Sequence, residues 1–187
     1  ISKKIEVIHN FVDVKRFNKK PVDAFKKLIS PKGEKIIVHA SNFRKVKRVE
    51  DVIHVFEKVS KKIKSKLLMI GDGPERKHME ELCRNLHLCD EIRFLGKQEA
   101  VEEILAIADL FILPSENESF GLAALEAMAC EVPVISSNAG GIPEVNIDGV
   151  TGYMCEVGDV DGMAARCIEL LEDEESLSVF RKNAFKQ

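Results

Sequence analysis

No apolar run in this sequence approaches the roughly 20 residues needed to span a bilayer, and no signal-like stretch opens it. The chain starts at Ile1 and not at a Met, and both of its ends are expected to be cut from something larger. Positive charge is not in excess: 28 Lys and Arg stand against 31 Asp and Glu, a formal net charge of -3. That balance gives no general attraction to nucleic acid or to an anionic membrane surface. Cysteine is scarce and unpatterned, with Cys83, Cys89, Cys130, Cys155 and Cys167 forming no C-x-x-C pair. Scattered through apolar stretches, these residues read as small core side chains in a reducing cytosol, not as a disulfide or zinc framework. The histidines form no i, i+4 pair and no cluster with the cysteines, so no metal is expected. His39, inside an expected strand, reads as a satisfied core residue. A dinucleotide fingerprint is also missing. Gly71-Asp72-Gly73-Pro74 comes nearest to G-x-G-x-x-G, but Arg76 stands where the third glycine belongs, which argues against a nicotinamide dehydrogenase.

What is present suits an ordinary globular domain. The 187 residues, 45% hydrophobic and 32% charged, can bury a substantial core and suggest one domain with an appended piece. Strand-like apolar runs alternate with helical spacing. Lys35 to Ala40 reads as a strand, and Val49, Val52, Ile53, Phe56, Val59 and Ile63 follow at helical spacing. Lys66 to Ile70, Ile92 to Leu95, Leu110 to Leu113 and Val132 to Ile135 read as further strands, with helices between them and short Gly or Pro loops. Short segments lie outside this repeat: a strand at Ile5 to Ile8, a helix at Asp23 to Leu28, a last strand near Tyr153 and helices from Asp161 onward. Such alternation predicts an α/β fold with a doubly wound, Rossmann-like parallel sheet. Ligands of these sheets bind beyond the carboxyl ends of the strands.

The most informative stretch follows the fourth of these strands. Asn117-Glu118-Ser119-Phe120-Gly121-Leu122 leads from an apolar strand into Ala123-Ala124-Leu125-Glu126-Ala127-Met128-Ala129, a strong helix former. With Ser119 as N-cap, the amides of Phe120, Gly121 and Leu122 are left without intrahelical partners and face an anion. Gly121 permits close approach of that anion, and the carboxylates of Glu118 and Glu126 bracket the turn as acceptors for hydroxyl groups. The loop after the first strand of the repeat, Ser41-Asn42-Phe43-Arg44-Lys45-Val46-Lys47-Arg48, carries four cations, suited to neutralising a diphosphate. Asn138-Ala139-Gly140-Gly141-Ile142-Pro143-Glu144 offers paired glycines before a helix start. Asp159-Val160-Asp161 has the spacing of a metal-binding pair, but the helix behind it makes N-capping the stronger expectation.

Glu-x7-Glu with Ser-Phe-Gly after the first Glu resembles the signature of retaining group 1 glycosyltransferases, whose two Rossmann-like domains make the GT-B architecture. The basic loop is similar to that family's Gly-Arg-x-x-x-x-Lys-Gly. Lys47 matches its Lys, Asn42 holds the Arg position and Arg48 the second Gly, which leaves Arg44 as candidate substitute for the missing Arg. Asn10-Phe11-Val12-Asp13 with Phe17 resembles the entry from the N-terminal domain, with Phe11 in place of Gly. Gly140-Gly141-Ile142-Pro143-Glu144 is similar to the family's Gly-Gly-x-Pro-Glu.

The resemblance spans residues 5 to 175 and implies an interdomain entry segment at 1–20. A nucleotide-sugar-binding domain would follow at 21–175, with the start of a crossing helix at 176–187. It implies a UDP-sugar donor, with Lys47, Arg44 or Asn42, and the amides of Phe120 to Leu122 on the diphosphate, and Ser119 beside them at the donor. Glu118 would hold sugar hydroxyls, Glu126 the ribose, and Lys97 and the loop of Gly71 would contact the donor. The acceptor would be a small molecule held by an absent N-terminal domain. The run from Ser41 to Val52 most resembles members that move N-acetylglucosamine from UDP-N-acetylglucosamine to L-malate with retention. Another donor sugar with a lipid or glycan acceptor, or a non-catalytic nucleotide-sugar-binding module, is the alternative. Oligomeric state, monomer or homo-oligomer, is left open.

Overall fold

The protein is described here from a computed structural model covering residues 10–187. The strand expected at Ile5 to Ile8 falls outside the described residues. After a turn at Asp13 to Phe17, the helix α1 (Asp23–Ile29) leads into the repeating unit. The strands are β1 (Lys35–Ala40), β2 (Ser65–Ile70), β3 (Ile92–Gly96), β4 (Leu110–Leu113), β5 (Val134–Ser137) and β6 (Gly152–Cys155). Between and after them lie α2 (Val49–Ser60), α3 (Arg76–Asn85), α4 (Val101–Ala106), α5 (Leu122–Ala129), α6 (Ile142–Val145), α7 (Val160–Glu172) and α8 (Glu174–Lys186).

All six strands are parallel, in the order β3-β2-β1-β4-β5-β6. The central strands β1, β2 and β4 alternate their apolar side chains between two layers, the expected consequence of period-2 geometry in a sheet covered on both faces. Ile37, Leu67, Met69 and Ile112 point into a layer closed by Val52, Phe56 and Val59 of α2, Met79 of α3 and Cys167 of α7. Ile36, Val38, Leu68, Ile70 and Phe111 point the other way, against Ile104 and Leu105 of α4, Ala124 and Met128 of α5 and Ile142 of α6. Helix α8 joins both layers, with Leu177 and Phe180 in the first and Ala184 in the second. Full burial of each large aliphatic or aromatic side chain contributes roughly 1.5–3 kcal/mol.

Two expectations need correction. The fifth strand begins at Val134, not Val132, because Pro133 has no N–H for the ladder. It continues through Ser136 and Ser137, which stay buried because their hydroxyls are satisfied. Asn146 donates to Ser136 Oγ at 2.8 Å, and Ser137 donates to the Ser115 carbonyl. Cys89 is exposed and is no core residue, unlike Cys83, Cys130 and Cys167. No helix among the described residues is long and apolar enough to cross a membrane.

Candidate functional site

The strand order reverses between β1 and β4, whose crossovers leave on opposite faces, and the loops beyond their carboxyl ends diverge to leave a crevice. One wall is the loop Ser41–Arg48, the other the loop after β4 that runs into α5. Between them lies a cleft of about 440 Å³, lined by Ser41, Asn42 and Lys47 on one side and Glu118 to Ala123 on the other, with Asn10 at its rim.

The two walls are joined by charge. Lys47 Nζ donates to Glu118 Oε1 at 2.6 Å, with 19% and 13% of their side chains exposed. Ser115 Oγ donates to the same carboxylate oxygen at 2.9 Å. Burial costs both ions hydration, and the hydrogen bonds offset that cost. A second tie lies behind. Arg48 donates from Nε to Asp51 at 2.6 Å and from a terminal nitrogen to Glu116 at 3.0 Å, and Glu116 N–H reaches the Val46 carbonyl at 2.9 Å. Arg48 has φ 47° and ψ 46°, the left-handed region that favours glycine, and its two acids compensate an unfavourable backbone. The four cations of this loop therefore divide their duties. Lys47 lines the cleft, Arg48 braces the walls, and Arg44 and Lys45 are exposed outside the lining.

Beneath Lys47 sits His39, fully buried as expected. Its Nδ1 lies 2.9 Å from the Ile112 carbonyl and its Nε2 2.8 Å from Ser41 Oγ. The carbonyl only accepts, so Nδ1 carries the proton and Nε2 takes one from the Ser41 hydroxyl. Burial holds the imidazole pKa down at about 4, against the opposing pull of the Ile112 carbonyl; Lys47 lowers it further and Glu118 raises it. The ring is a neutral strut that fixes Ser41 at the cleft wall.

Helix α5 starts later than the sequence suggests. Ser119 is not its N-cap; Gly121 is, at φ 91°, with no side chain capping. Ala124 N–H finds the Gly121 carbonyl at 2.9 Å, so the amides of Leu122 and Ala123 are the first-turn donors left for a ligand. A side chain at 121 would also collide with Ile142. The glycines at 140 and 141 let their loop pack against the backbone of the loop after β4. A Cβ at Gly140 would lie 2.0 Å from the Glu118 carbonyl oxygen, and Gly141 N–H donates to that oxygen at 2.8 Å. Gly71 is of the same kind. Its amide bonds the Gly96 carbonyl at 2.8 Å, and a Cβ there would lie 1.8 Å from the Ser41 carbonyl oxygen, so its role is to let two loops pack backbone on backbone.

Of the residues singled out from sequence, Asn42, Lys47, Glu118, Ser119, Phe120, Gly121 and Leu122 come together in one cleft. Arg44, Lys97, Gly71 and Glu126 are not in its lining. Glu126 lies one helical turn beyond Leu122, half-buried. Burial raises its pKa, Arg16 pulls it back and Glu102 adds to the rise. Arg16 itself is bound to Glu102 at 3.1 Å and to the Glu99 carbonyl at 2.6 Å. Ser41 and Ser115 were not singled out. Their signal was position, each falling just past the carboxyl end of a buried strand. Asp159 caps α7 through Gly162 N–H at 2.8 Å, and Asp161 pairs with Lys58 at 2.8 Å.

Comparison with known proteins places this geometry. Residues 22–187 match the sequence profile described as glycosyl transferases group 1. The chain is 51% identical over 175 residues to N-acetyl-alpha-D-glucosaminyl L-malate synthase of Bacillus anthracis, covering 93% of this chain and 46% of that protein. Among solved structures, HepE of Anabaena in complex with UDP superposes with a TM-score of 0.88 at 24% identity, over 97% of this chain and 51% of that one. Sucrose-phosphate synthase from Thermosynechococcus elongatus superposes with a TM-score of 0.85 at 28% identity, over 94% and 45%. The chain thus spans about half the length of the relatives it matches, and its sheet is one Rossmann-like half of a GT-B architecture. With six parallel strands, a cationic loop after β1 and Glu-x7-Glu after β4, the chain belongs to the group 1 glycosyltransferases.

Proposed function

We propose that this chain is the donor-binding half of a retaining hexosyltransferase that takes a UDP-sugar, UDP-N-acetylglucosamine by preference, with L-malate as acceptor of the whole enzyme. The observation that carries the proposal is the convergence of Lys47 and the Leu122 and Ala123 amides on one cleft at the sheet's switch point. A diphosphate seated there meets one full positive charge and the partial positive end of a helix. Both gain strength as the leaving group's charge grows. The sugar and acceptor follow the name of the 51% identical relative.

In the proposed reaction the bond between the anomeric carbon and the β-phosphate oxygen breaks, and the acceptor oxygen bonds to that carbon on the same face. Its proton passes to the departing phosphate, so this half of the enzyme supplies no general base. Lys47 and Asn42 stabilise the diphosphate. Arg44, exposed on the same loop, and the Ser119 to Gly121 turn complete the anion's surroundings. Glu118, released from Lys47 as the phosphate arrives, accepts from sugar hydroxyls. Glu126 is on the Leu122 side of α5, by i, i+4 spacing, and takes the ribose hydroxyls. Lys97, on the loop after β3, flanks the base, with Gly71 holding that edge in place.

The test is calorimetric titration of the chain with UDP, ADP, GDP and their sugars, followed by turnover of the full-length enzyme with malate and determination of the product's anomeric configuration. Preference for UDP and UDP-N-acetylglucosamine with an α-linked product is expected. Indifference to every nucleotide, or an inverted product, overturns the proposal.

A further inference from the structure

We propose that Cys83 and Cys89 form a reversible dithiol–disulfide site, a redox modification site that takes a low-molecular-weight disulfide as its oxidant. It lies at the end of α3, does not involve the cleft residues, and stands or falls independently of the donor chemistry.

The geometry comes from how α3 stops. Leu88 N–H donates to the Cys83 carbonyl at 3.0 Å and His87 N–H to the Arg84 carbonyl at 3.1 Å, with His87 at φ 57°. That pair of bonds around a left-handed residue is a Schellman turn. It reverses the chain so that the residue after Leu88 returns over the last turn of the helix. Two cysteines six residues apart in sequence thereby meet, with sulfurs 3.6 Å apart. Glu91 and Ile92 N–H both reach the Leu88 carbonyl, at 3.1 and 2.9 Å, and hold the returning chain. Among the described residues no other two cysteine sulfurs lie within hydrogen-bonding distance.

The two thiols are unequal. Cys89 is exposed, whereas Cys83 is 2% exposed, packed with Met79, Leu88 and Ile92 in one apolar layer. A solution oxidant reaches only Cys89, and only Cys89 then reaches Cys83. Burial pushes the Cys83 thiol up to about 12, with the hydrogen bond to Cys89 raising it further, so Cys83 is the resolving thiol and not the attacking one.

The steps balance without other reagents. Cys89 thiolate attacks one sulfur of the small disulfide, whose S–S bond breaks and releases one small thiolate. Cys83 thiolate then attacks Sγ of Cys89 in the mixed disulfide, forming the Cys83–Cys89 bond and releasing the second thiolate. Two protein thiols lose two electrons, the small disulfide gains them, and the two protons end on the small thiols. The second step is intramolecular, with the sulfurs already nearly in contact, which favours it strongly over attack by a second molecule.

The experiment incubates the chain with glutathione disulfide and follows its mass and peptide map without reduction. A product lighter by two hydrogens, linked Cys83 to Cys89 and reversed by dithiothreitol, is expected. Its closure rate should rise about tenfold per pH unit between pH 7 and 9, because the buried thiol must ionise. Cys83→Ala should stop at a stable glutathione adduct on Cys89, and Cys89→Ser, at an exposed position, should leave the fold intact and yield neither product. A stable adduct on the unmodified sequence, or a bond joining Cys130, Cys155 or Cys167, overturns the proposal.

Discussion

Lys47 Nζ and Glu118 Oε1 stand 2.6 Å apart, joining two loops whose residues are separated by 71 positions in sequence. The pair occupies the gap between β1 and β4, so a diphosphate entering the cleft competes with Glu118 for the same ammonium. Lys47→Met is expected to weaken UDP binding about 10- to 100-fold, in keeping with about 1.4–2.7 kcal/mol for a charge-assisted bond, whereas Glu118→Gln, which removes the competitor, should bind UDP as tightly as the natural chain or more tightly. In the double variant the Glu118 change should bring no such gain, because the ammonium that it would free is gone. Calorimetric affinities for the four proteins check this, and strict additivity would sink it.

Gly140 and Gly149 both have positive φ, 58° and 71°, but differ in what surrounds them. A Cβ at 140 meets the Glu118 backbone, while one at 149 meets nothing within 4 Å. Gly149→Ala should therefore cost about 1 kcal/mol for the backbone conformation alone. Gly140→Ala should cost more than about 2 kcal/mol, displace Glu118 and lower UDP affinity. Urea unfolding read beside UDP titration distinguishes the two; equal costs would refute the packing explanation.

His39 has a pKa of about 4 in the folded chain against 6.5 for the free side chain. The unfolded state thus binds a proton that the native state refuses between those values. The neutral ring's contribution to stability is fully present above pH 6.5 and is lost as pH falls toward 4. The loss amounts to up to about 1.4 kcal/mol per pH unit. Unfolding free energies measured from pH 7.5 to 4.5 for the natural chain and for His39→Gln should diverge by that slope. Parallel curves would show that the imidazole titrates freely.

Asp109 stands at the opposite end of the sheet, 3% exposed. It accepts from Ile36 N–H at 2.8 Å, Lys26 at 3.2 Å and Arg181 at 2.6 Å. Arg181 also has a buried Nε with no partner among the described residues, so neutralising the acid leaves its guanidinium poorly compensated. Asp109→Asn is expected to cost about 3 kcal/mol of stability and to leave UDP affinity unchanged. A full-strength fold by thermal melting, or a loss of nucleotide binding, would contradict this.

The alternation of apolar runs with helical spacing was legible because buried parallel strands carry almost no polar residues. Lys35 to Ala40 and Leu110 to Leu113 form strands with the boundaries read from sequence. Polar stretches were harder. Ser136 and Ser137 belong to β5 only because Asn146 and the Ser115 carbonyl, distant in sequence, satisfy them. Ser119 looked like a helix cap from residue type, yet the left-handed backbone of Gly121, which lets the turn pack beside Ile142, starts α5 there instead.

Sequence alone marked the loops after the strands as the ligand edge, since alternating strands and helices imply a doubly wound parallel sheet; the order β3-β2-β1-β4-β5-β6, which sets the loops after β1 and β4 face to face, was decided by the tertiary structure. Sequence also marked Glu118 by its place beside the turn into α5, and Lys47 through the resemblance of the basic loop to that of the family. Tertiary structure decided how the remaining charges are used. Arg48 is spent on Asp51 and Glu116, Gly71 and Gly140 on backbone contacts, and Cys83 meets Cys89 through a turn whose left-handed residue is a histidine. The physical reason is that charge pairing and close packing depend on distances of a few ångströms across the fold, which local spacing does not encode.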